Sequence, residues 1–170
     1  MKAIAIAIAA AALLAGATAP AAALGQDLIV RHRLPVALAV EAVSEAVAVC
    51  TKQGFGVSAV LIDRDGARQV VMRGDEAEVG TLDGSFYKAF TALNLAHDDD
   101  SSRAVADHLL KNPSSAQLGH LPNIVLTGGG VTIRFGKEVI GAIGVGGSTA
   151  PNGDETCARA GLDKIRDRIK

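Results

Sequence analysis

The chain has 170 residues, of which 17 are basic and 18 are acidic, so its formal net charge at pH 7 is -1. Trp is absent and aromatic residues make up only 3% of the chain. This composition excludes both a broadly basic surface and an aromatic platform for stacked bases, so we expect no nucleic acid among the partners. Hydrophobic residues account for 49% of the chain, which predicts one domain with a core of Ala, Val, Ile and Leu.

The N-terminal segment has the organisation of a secretory signal peptide. Lys2 is followed by a long uncharged run rich in Ala, Ile and Leu, and small residues then allow cleavage after Ala23 or after Gly25. A retained membrane anchor is the alternative, but the run is short for a span of about 20 residues and is rich in weakly apolar Ala. We therefore predict a signal peptide at 1–25 and a single mature domain at 26–170. Such a protein is periplasmic or secreted, without stable insertion into a membrane.

A helix and a hairpin are predicted in the first half of this domain. Apolar positions recur at helical spacing over 36–52, and Gly54 is a plausible stop. The apolar run at 57–62 predicts a buried strand. A tight turn at 63–66 then joins it to a second strand at 68–73.

The second half of the domain mixes helices and strands. Its predicted elements are helices at about 78–96 and 101–110, a loop at 111–122, strands at 124–127, 131–135 and 138–145, and a last helix that begins at about 152 or 154 and ends at 169. Gly136 and Lys137 form a two-residue turn between the last two strands. Because strands and helices do not alternate strictly, the order disfavours a parallel doubly wound sheet. It favours an α+β domain, with helices packed on the faces of an antiparallel sheet.

The two cysteines, Cys50 and Cys157, both lie in the predicted mature domain. In an oxidising compartment an even pair is a disulfide candidate, whereas two buried free thiols would behave as small hydrophobic residues. The residues alone leave these alternatives about equal. The wide spacing excludes a CxxC redox motif, and no zinc-ligand pattern surrounds either cysteine.

Glycine-rich stretches occur at 128–130 and at 141–147. The second stretch contains Gly144, Gly146 and Gly147 between a predicted strand and a predicted helix, where backbone N–H groups could hold an anion. The phosphate-binding loop pattern and the dinucleotide fingerprint are both absent. The favoured alternative is close packing of sheet, helix or a neighbouring subunit.

Two charged features could support chemistry. His97 precedes Asp98, Asp99 and Asp100, a group that could bind a divalent cation or haem iron. The favoured alternative is a solvated turn whose acids stabilise the start of the next helix. Lys88 lies in a mostly apolar helix and could act as a base or form a Schiff base. More often, the stem of such a lysine follows apolar surface until its ammonium reaches an acid.

Several of these stretches together resemble the GlcG/HbpS family, which includes the C-terminal domain of PduO-type proteins. The resemblance covers about 35–168 and rests on the order and spacing of Val60-Leu-Ile-Asp63-Arg-Asp-Gly66, Arg73-Gly-Asp75, Lys88-Ala-Phe-Thr91-Ala92, Gly128-Gly-Gly130, Val139-Ile-Gly-Ala-Ile-Gly-Val145-Gly-Gly147, and a closing helix from Asp154-Glu155 to Ala160-Gly161. It implies a profilin-like α/β sandwich, in which a central antiparallel sheet carries helices on both faces and the first and last helices are adjacent. If those two helices run antiparallel, Cys50 and Cys157 come to the same level, which favours the disulfide.

The resemblance also implies binding of haem or a related tetrapyrrole, and homo-oligomers built from dimers, such as hexamers or octamers. The residues we assign to haem or ligand binding are His97, Asp99, Lys88 and Thr91, and those we assign to a metal are His97, Asp98 and Asp100. Many relatives carry a Pro-Thr pair, in a region tied to haem binding, where this chain has the His97 turn. Either His97 has become the ligand, or this chain does not bind haem as its relatives do. An Asp triplet would repel a haem propionate, which counts against a simple transfer of the site.

The signal peptide and the family resemblance together favour an exported haem-binding branch over a cytosolic cobalamin-linked one. We predict a binding protein for haem or a related tetrapyrrole rather than an enzyme. The alternatives are weak haem degradation or another small-molecule reaction, and a structural or sensory oligomer that docks onto an exported partner.

Overall fold

A computed structural model describes residues 28–96 and 100–169. The chain divides into a short unit, Met1–Val30, and a larger unit, Arg31–Lys170. Only the end of the short unit is described, and it has no regular secondary structure. The signal peptide predicted at 1–25 lies outside the described residues, so both it and its cleavage site stay predictions.

Over its described residues, the larger unit contains four helices and four strands. In chain order they are α1 (Val36–Lys52), β1 (Ser58–Asp63), β2 (Arg68–Arg73), α2 (Gly80–Leu95), α3 (Ser102–Lys111), β3 (Gly130–Phe135), β4 (Glu138–Gly146) and α4 (Gly153–Ile165), with short 3-10 turns at Ala116–His120 and Arg166–Arg168. The bounds of α1 and β2 are those predicted from the sequence. Among the described residues, no helix is both long and apolar enough to cross a bilayer.

The strands form one antiparallel sheet in the order β2-β1-β4-β3. In the β1–β2 turn, the Asp63 carboxylate accepts hydrogen bonds from two following backbone N–H groups, and Gly66 adopts a φ of 81°. The β3–β4 turn has two residues, because Phe135 pairs with Glu138. Both predicted hairpins are confirmed.

The sheet separates two layers of helices. Successive side chains of β1 point to opposite faces, so that Ala59 and Leu61 pack beneath α1 and α4, whereas Val60 and Ile62 pack beneath α2. The helix α3 packs beside the end of α2, where Leu109 and Ala96 are buried. The predicted α+β architecture, with helices on both faces and the first and last helices adjacent, is confirmed.

A disulfide joins Cys50, late in α1, to Cys157, early in α4, with 5.8 Å between their Cα atoms. Glu41, early in α1, forms an ion pair with Arg168, which lies just beyond the end of α4. The two helices therefore run antiparallel, and the disulfide implied by the family resemblance is present.

Two predicted elements differ from the structure. The strand predicted at 124–127 is wrong, since the segment is irregular. The backbone N–H of Val125 bonds instead to the Thr91 hydroxyl, 2.9 Å away, so a side chain of α2 takes the place of a neighbouring strand. The last α-helix ends at Ile165 and tightens into a 3-10 turn at Arg166–Arg168, short of its predicted end.

Candidate functional site

A polar cleft of about 300 Å³ opens where α2, α3 and the start of α4 meet the glycine loop at 128–130. We call it the Lys88 cleft. Its lining includes the side chains of Lys88, Arg103, Thr127, Ser148, Asn152 and Asp154, and the backbone of Gly128 and Gly153. Two cationic side chains and one carboxylate are thus exposed to the same small volume.

The ion pair between Lys88 and Asp154 forms one wall of the cleft. The Lys88 ammonium lies 2.5 Å from Asp154 Oδ2, and each side chain is only 13% exposed. The other oxygen, Oδ1, accepts a hydrogen bond from the backbone N–H of Ser148, at 2.8 Å. The carboxylate is therefore held through both oxygens, and the Lys88 charge is compensated. This geometry matches the alternative in which the lysine stem follows apolar surface and its ammonium reaches an acid.

The glycine loop allows α2 to approach closely enough for this contact. A Cβ atom at Gly130 would collide with the carbonyl oxygen of Lys88. At Gly129, where φ is 125°, a Cβ atom would lie 2.8 Å from the Lys88 stem and 2.9 Å from Asp154 Cβ. Larger residues here would push the helix or the ion pair away, so the loop determines where Lys88 lies.

Arg103 borders the cleft from α3, with its guanidinium against Gly128. A Cβ atom at Gly128 would collide with that guanidinium. Arg103 Nε lies 3.5 Å from Glu155 Oε2, and each of these buried atoms lacks a hydrogen-bond partner among the described residues. Arg103 is therefore paired with Glu155 by charge but not by a hydrogen bond.

An ion-pair network connects the cleft with the segment before α3. Arg159 donates to both carboxylate oxygens of Asp100, at 2.9 and 2.8 Å, and to Glu155 at 2.7 Å. The hydrogen bonds from Arg159 hold the pKa of Asp100 below its ordinary value, and those from Asp100 raise the pKa of Arg159. Asp100 is therefore ionised at neutral pH, with its charge compensated by Arg159.

The structure brings Lys88 into the cleft but places Thr91 elsewhere. Thr91 is fully buried, and its hydroxyl donates to the carbonyl oxygen of Tyr87 at 2.8 Å. It also accepts the N–H of Val125, as described above. The Thr91 hydroxyl thus hydrogen-bonds these two backbone groups. The role in ligand binding that we assign to Thr91 stays a prediction.

The predicted metal and haem ligands fall largely outside the described residues. His97, Asp98 and Asp99 are not described, so their roles stay predictions. Of the predicted metal set only Asp100 is described, and both of its oxygens bond Arg159. Within 28–96 and 100–169, no group of three or more His, Cys, Asp or Glu side chains could hold a metal ion.

The second glycine-rich stretch matches the close-packing alternative. A Cβ atom at Gly144 would collide with the carbonyl oxygen of Ser85 on α2, and one at Gly146 would lie 3.1 Å from Ser85 Oγ. Gly147, at a φ of 127°, lies against another backbone carbonyl. The three glycines pack within the domain, and the next residue, Ser148, is the one that lines the cleft.

Sequence reasoning missed two cleft residues, Arg103 and Asp154. A signal for Asp154 was available, because it begins a helix directly after a glycine-rich loop, while Lys88 needs an acid partner in its apolar surroundings. Arg103 has no comparable signal. Its position depends on how α3 packs against the glycine loop, which no local pattern encodes.

Comparisons with known proteins agree with this architecture. A family model described as haem degrading protein HbpS-like matches residues 34–163. An uncharacterized 15.0 kDa protein from the dhaT-dhaS intergenic region of Citrobacter freundii is 32% identical over 105 residues, which cover 61% of this chain and 71% of that protein.

Two solved structures extend the comparison. A double mutant of Streptomyces reticuli HbpS is 32% identical, with a TM-score of 0.73, over 86% of this chain and 97% of that chain. PduOC, solved as a complex with haem, is 20% identical with a TM-score of 0.67, over 79% of this chain and 96% of that chain, a likeness of fold alone. Because the family model spans nearly all of the larger unit, this chain belongs to the HbpS-like family.

Proposed function

We propose that this protein is exported and binds haem or a related tetrapyrrole, as a homo-oligomer built from dimers. The observation that carries the proposal is the match to the haem-degrading HbpS-like family over residues 34–163. The shared fold with PduOC, which was solved with haem, adds a precedent for haem binding by this architecture. The disulfide between Cys50 and Cys157 supports export, because such bonds persist in oxidising compartments.

The ion-pair network weakens the main argument against haem. Three consecutive aspartates would repel a haem propionate if their charges were free. The Asp100 carboxylate, however, is paired through both oxygens with Arg159, and Arg103 lies close by across Glu155. An anionic ligand group approaching this end of α3 therefore meets cations as well as acids.

A haem titration of the purified protein tests the proposal. We expect the Soret band to shift and sharpen with saturable stoichiometry, and His97→Ala to abolish or alter that shift. His108→Ala is the matched control, because His108 is exposed on α3 and has no proposed role. No Soret change in the native protein would contradict haem binding. An unchanged spectrum for His97→Ala would reject His97 as the iron ligand. Light scattering on the same sample measures the oligomeric state.

Weak haem degradation is the second candidate, favoured by the description of the family itself. If the protein degrades haem, the haem band decays in the presence of a reductant and oxygen faster than that of free haem under the same conditions. An equal rate would leave binding as the function. Binding is common to both candidates, so the titration precedes this assay.

A further inference from the structure

The charged groups of the Lys88 cleft differ in how they are paired. Lys88 and Arg103 supply two cations to its lining, and Asp154 supplies one carboxylate. Asp154 already compensates Lys88, at 2.5 Å. Among the described residues the ionic partner of Arg103 is Glu155, 3.5 Å away and shared with Arg159. With Glu155, Asp100 and Arg159 included, the positive and negative charges around the cleft balance. Arg103 differs from Lys88 and Arg159 in that its ion pair includes no hydrogen bond.

The geometry of Arg103 suits a planar anion with two oxygens. A guanidinium presents its N–H donors as a rigid fork that matches a carboxylate, and such charge-assisted bonds are stronger than neutral ones. Arg103 Nε is buried without a hydrogen-bond partner among the described residues, although buried donors in native proteins are normally paired. Nε itself is buried against Glu155, whereas the Arg103 side chain is 42% exposed, so the terminal nitrogens of the guanidinium are the ones that a carboxylate in the cleft can reach.

Lys88 and Arg103 contact neighbouring residues of the glycine loop. Arg103 packs against Gly128 and the Lys88 stem against Gly129. Both side chains also line the cleft, so a small anion there would face both cations. The volume of about 300 Å³ is at the small end for ligand pockets, so it suits an acidic side group better than a whole macrocycle.

We infer that the Lys88 cleft is a carboxylate-binding subsite in which Arg103 binds the two oxygens of the ligand and Lys88 adds a second positive charge. The carboxylate is either a propionate group of a bound tetrapyrrole or a free small carboxylate. Binding of a tetrapyrrole propionate rests on the proposed function. Binding of a free small carboxylate is independent of it.

Two variants of the purified protein disable the subsite in different ways. Arg103→Gln removes the guanidinium charge, and Gly128→Ala displaces the guanidinium sterically while every charged residue is kept. The displaced group is the far end of a flexible side chain, so Gly128→Ala leaves the fold intact. Lys111→Gln is the matched control, because it removes one positive charge from the exposed end of the same helix.

Each protein is titrated with haem, with haem dimethyl ester, which lacks free carboxylates, and with propionate ion. The Soret band reports on the two tetrapyrroles, and the amide NMR signals of Gly128 and its neighbours report on propionate. We expect Arg103→Gln and Gly128→Ala each to weaken haem binding about tenfold, the loss typical of one charge-assisted hydrogen bond. The dimethyl ester should bind all four proteins equally, and Lys111→Gln should behave as the native protein does.

A loss of haem affinity that the dimethyl ester does not show identifies a tetrapyrrole propionate as the ligand group. Equal haem affinities in all proteins, with a propionate response that both variants abolish, identify a free small carboxylate instead. If neither haem affinity nor the propionate response depends on Arg103 and Gly128, the subsite does not exist. If haem gives no Soret shift but the native protein still responds to propionate, the proposed haem function is wrong and the subsite remains.

Discussion

The two faces of the sheet are packed by different means. Beneath α1 and α4, large side chains such as Leu61, Ile133 and Ile143 are fully buried, and a disulfide joins the two helices. Beneath α2 the core is smaller, and Gly144 brings the strand backbone against the helix backbone. One face gains stability from buried volume and a covalent link, whereas the other depends on close backbone approach.

This difference explains why the charged cleft lies beside α2. A helix that rests on glycines has little freedom to shift, because any movement toward the sheet meets backbone atoms. Lys88 therefore extends from a closely defined position, and its ammonium reaches Asp154 in the first turn of α4. The larger core stabilises the domain, and the glycine contacts position its polar groups.

The largest expected effect tests the covalent link on the first face. Replacing both Cys50 and Cys157 by Ala should lower the free energy of unfolding by about 4 kcal/mol, because the bond closes a loop with a sequence separation of 107. Urea unfolding of the variant and of the native protein, with and without reductant, measures this difference in the free energy of unfolding. A loss below about 1 kcal/mol would show that the unfolded chain is already compact in this region.

A smaller effect tests the close approach on the second face. Gly144→Ala should cost about 3 kcal/mol, because its Cβ atom would collide with the Ser85 carbonyl and force α2 away from the sheet. Gly84→Ala makes the same chemical change within α2, where the added Cβ atom meets no described residue within 4 Å beyond its chain neighbours and the backbone of its own helix. It should stabilise the protein by about 0.5–1 kcal/mol through helix propensity. Urea midpoints of similar value for the two variants would contradict the proposed role of Gly144.

The smallest expected effect on stability concerns the ion pair between Arg159 and Asp100 beside the cleft. The hydrogen bonds from Arg159 place the pKa of Asp100 below the ordinary value of about 3.9. Because the pKa is lower in the folded state than in the unfolded state, this pair stabilises the fold above pH 4 and loses its contribution as the pH falls toward the folded pKa. The contribution to stability is small, since the Asp100 side chain is 58% exposed.

An NMR titration of the Asp100 carboxyl group measures this pKa directly. Arg159→Gln should return it toward its ordinary value, whereas Arg166→Gln, which removes an exposed arginine paired with Asp163, should leave it unchanged. An equal Asp100 pKa in the native protein and in Arg159→Gln would show that the pair does not persist in solution.

Local patterns were sufficient where an element depends on its own residues. The helical spacing of apolar residues predicted both ends of α1, and the turn residues predicted both hairpins. The segment at 124–127 shows the limit of such patterns. A short apolar run predicts extended backbone but does not say what will pair with it, and here the partner is a hydroxyl group on α2.

The sequence by itself determined the helices, the hairpins, the antiparallel sheet and the presence of a lysine that needed an acid, because spacing and turn residues act over a few positions. Only the tertiary structure decided that Cys50 meets Cys157, that Asp154 is the acid, and that Arg103 shares a cleft with Lys88. These contacts join residues far apart in the chain. They depend on how closely the glycines let helices and loops approach, a property of the packed domain rather than of any one segment.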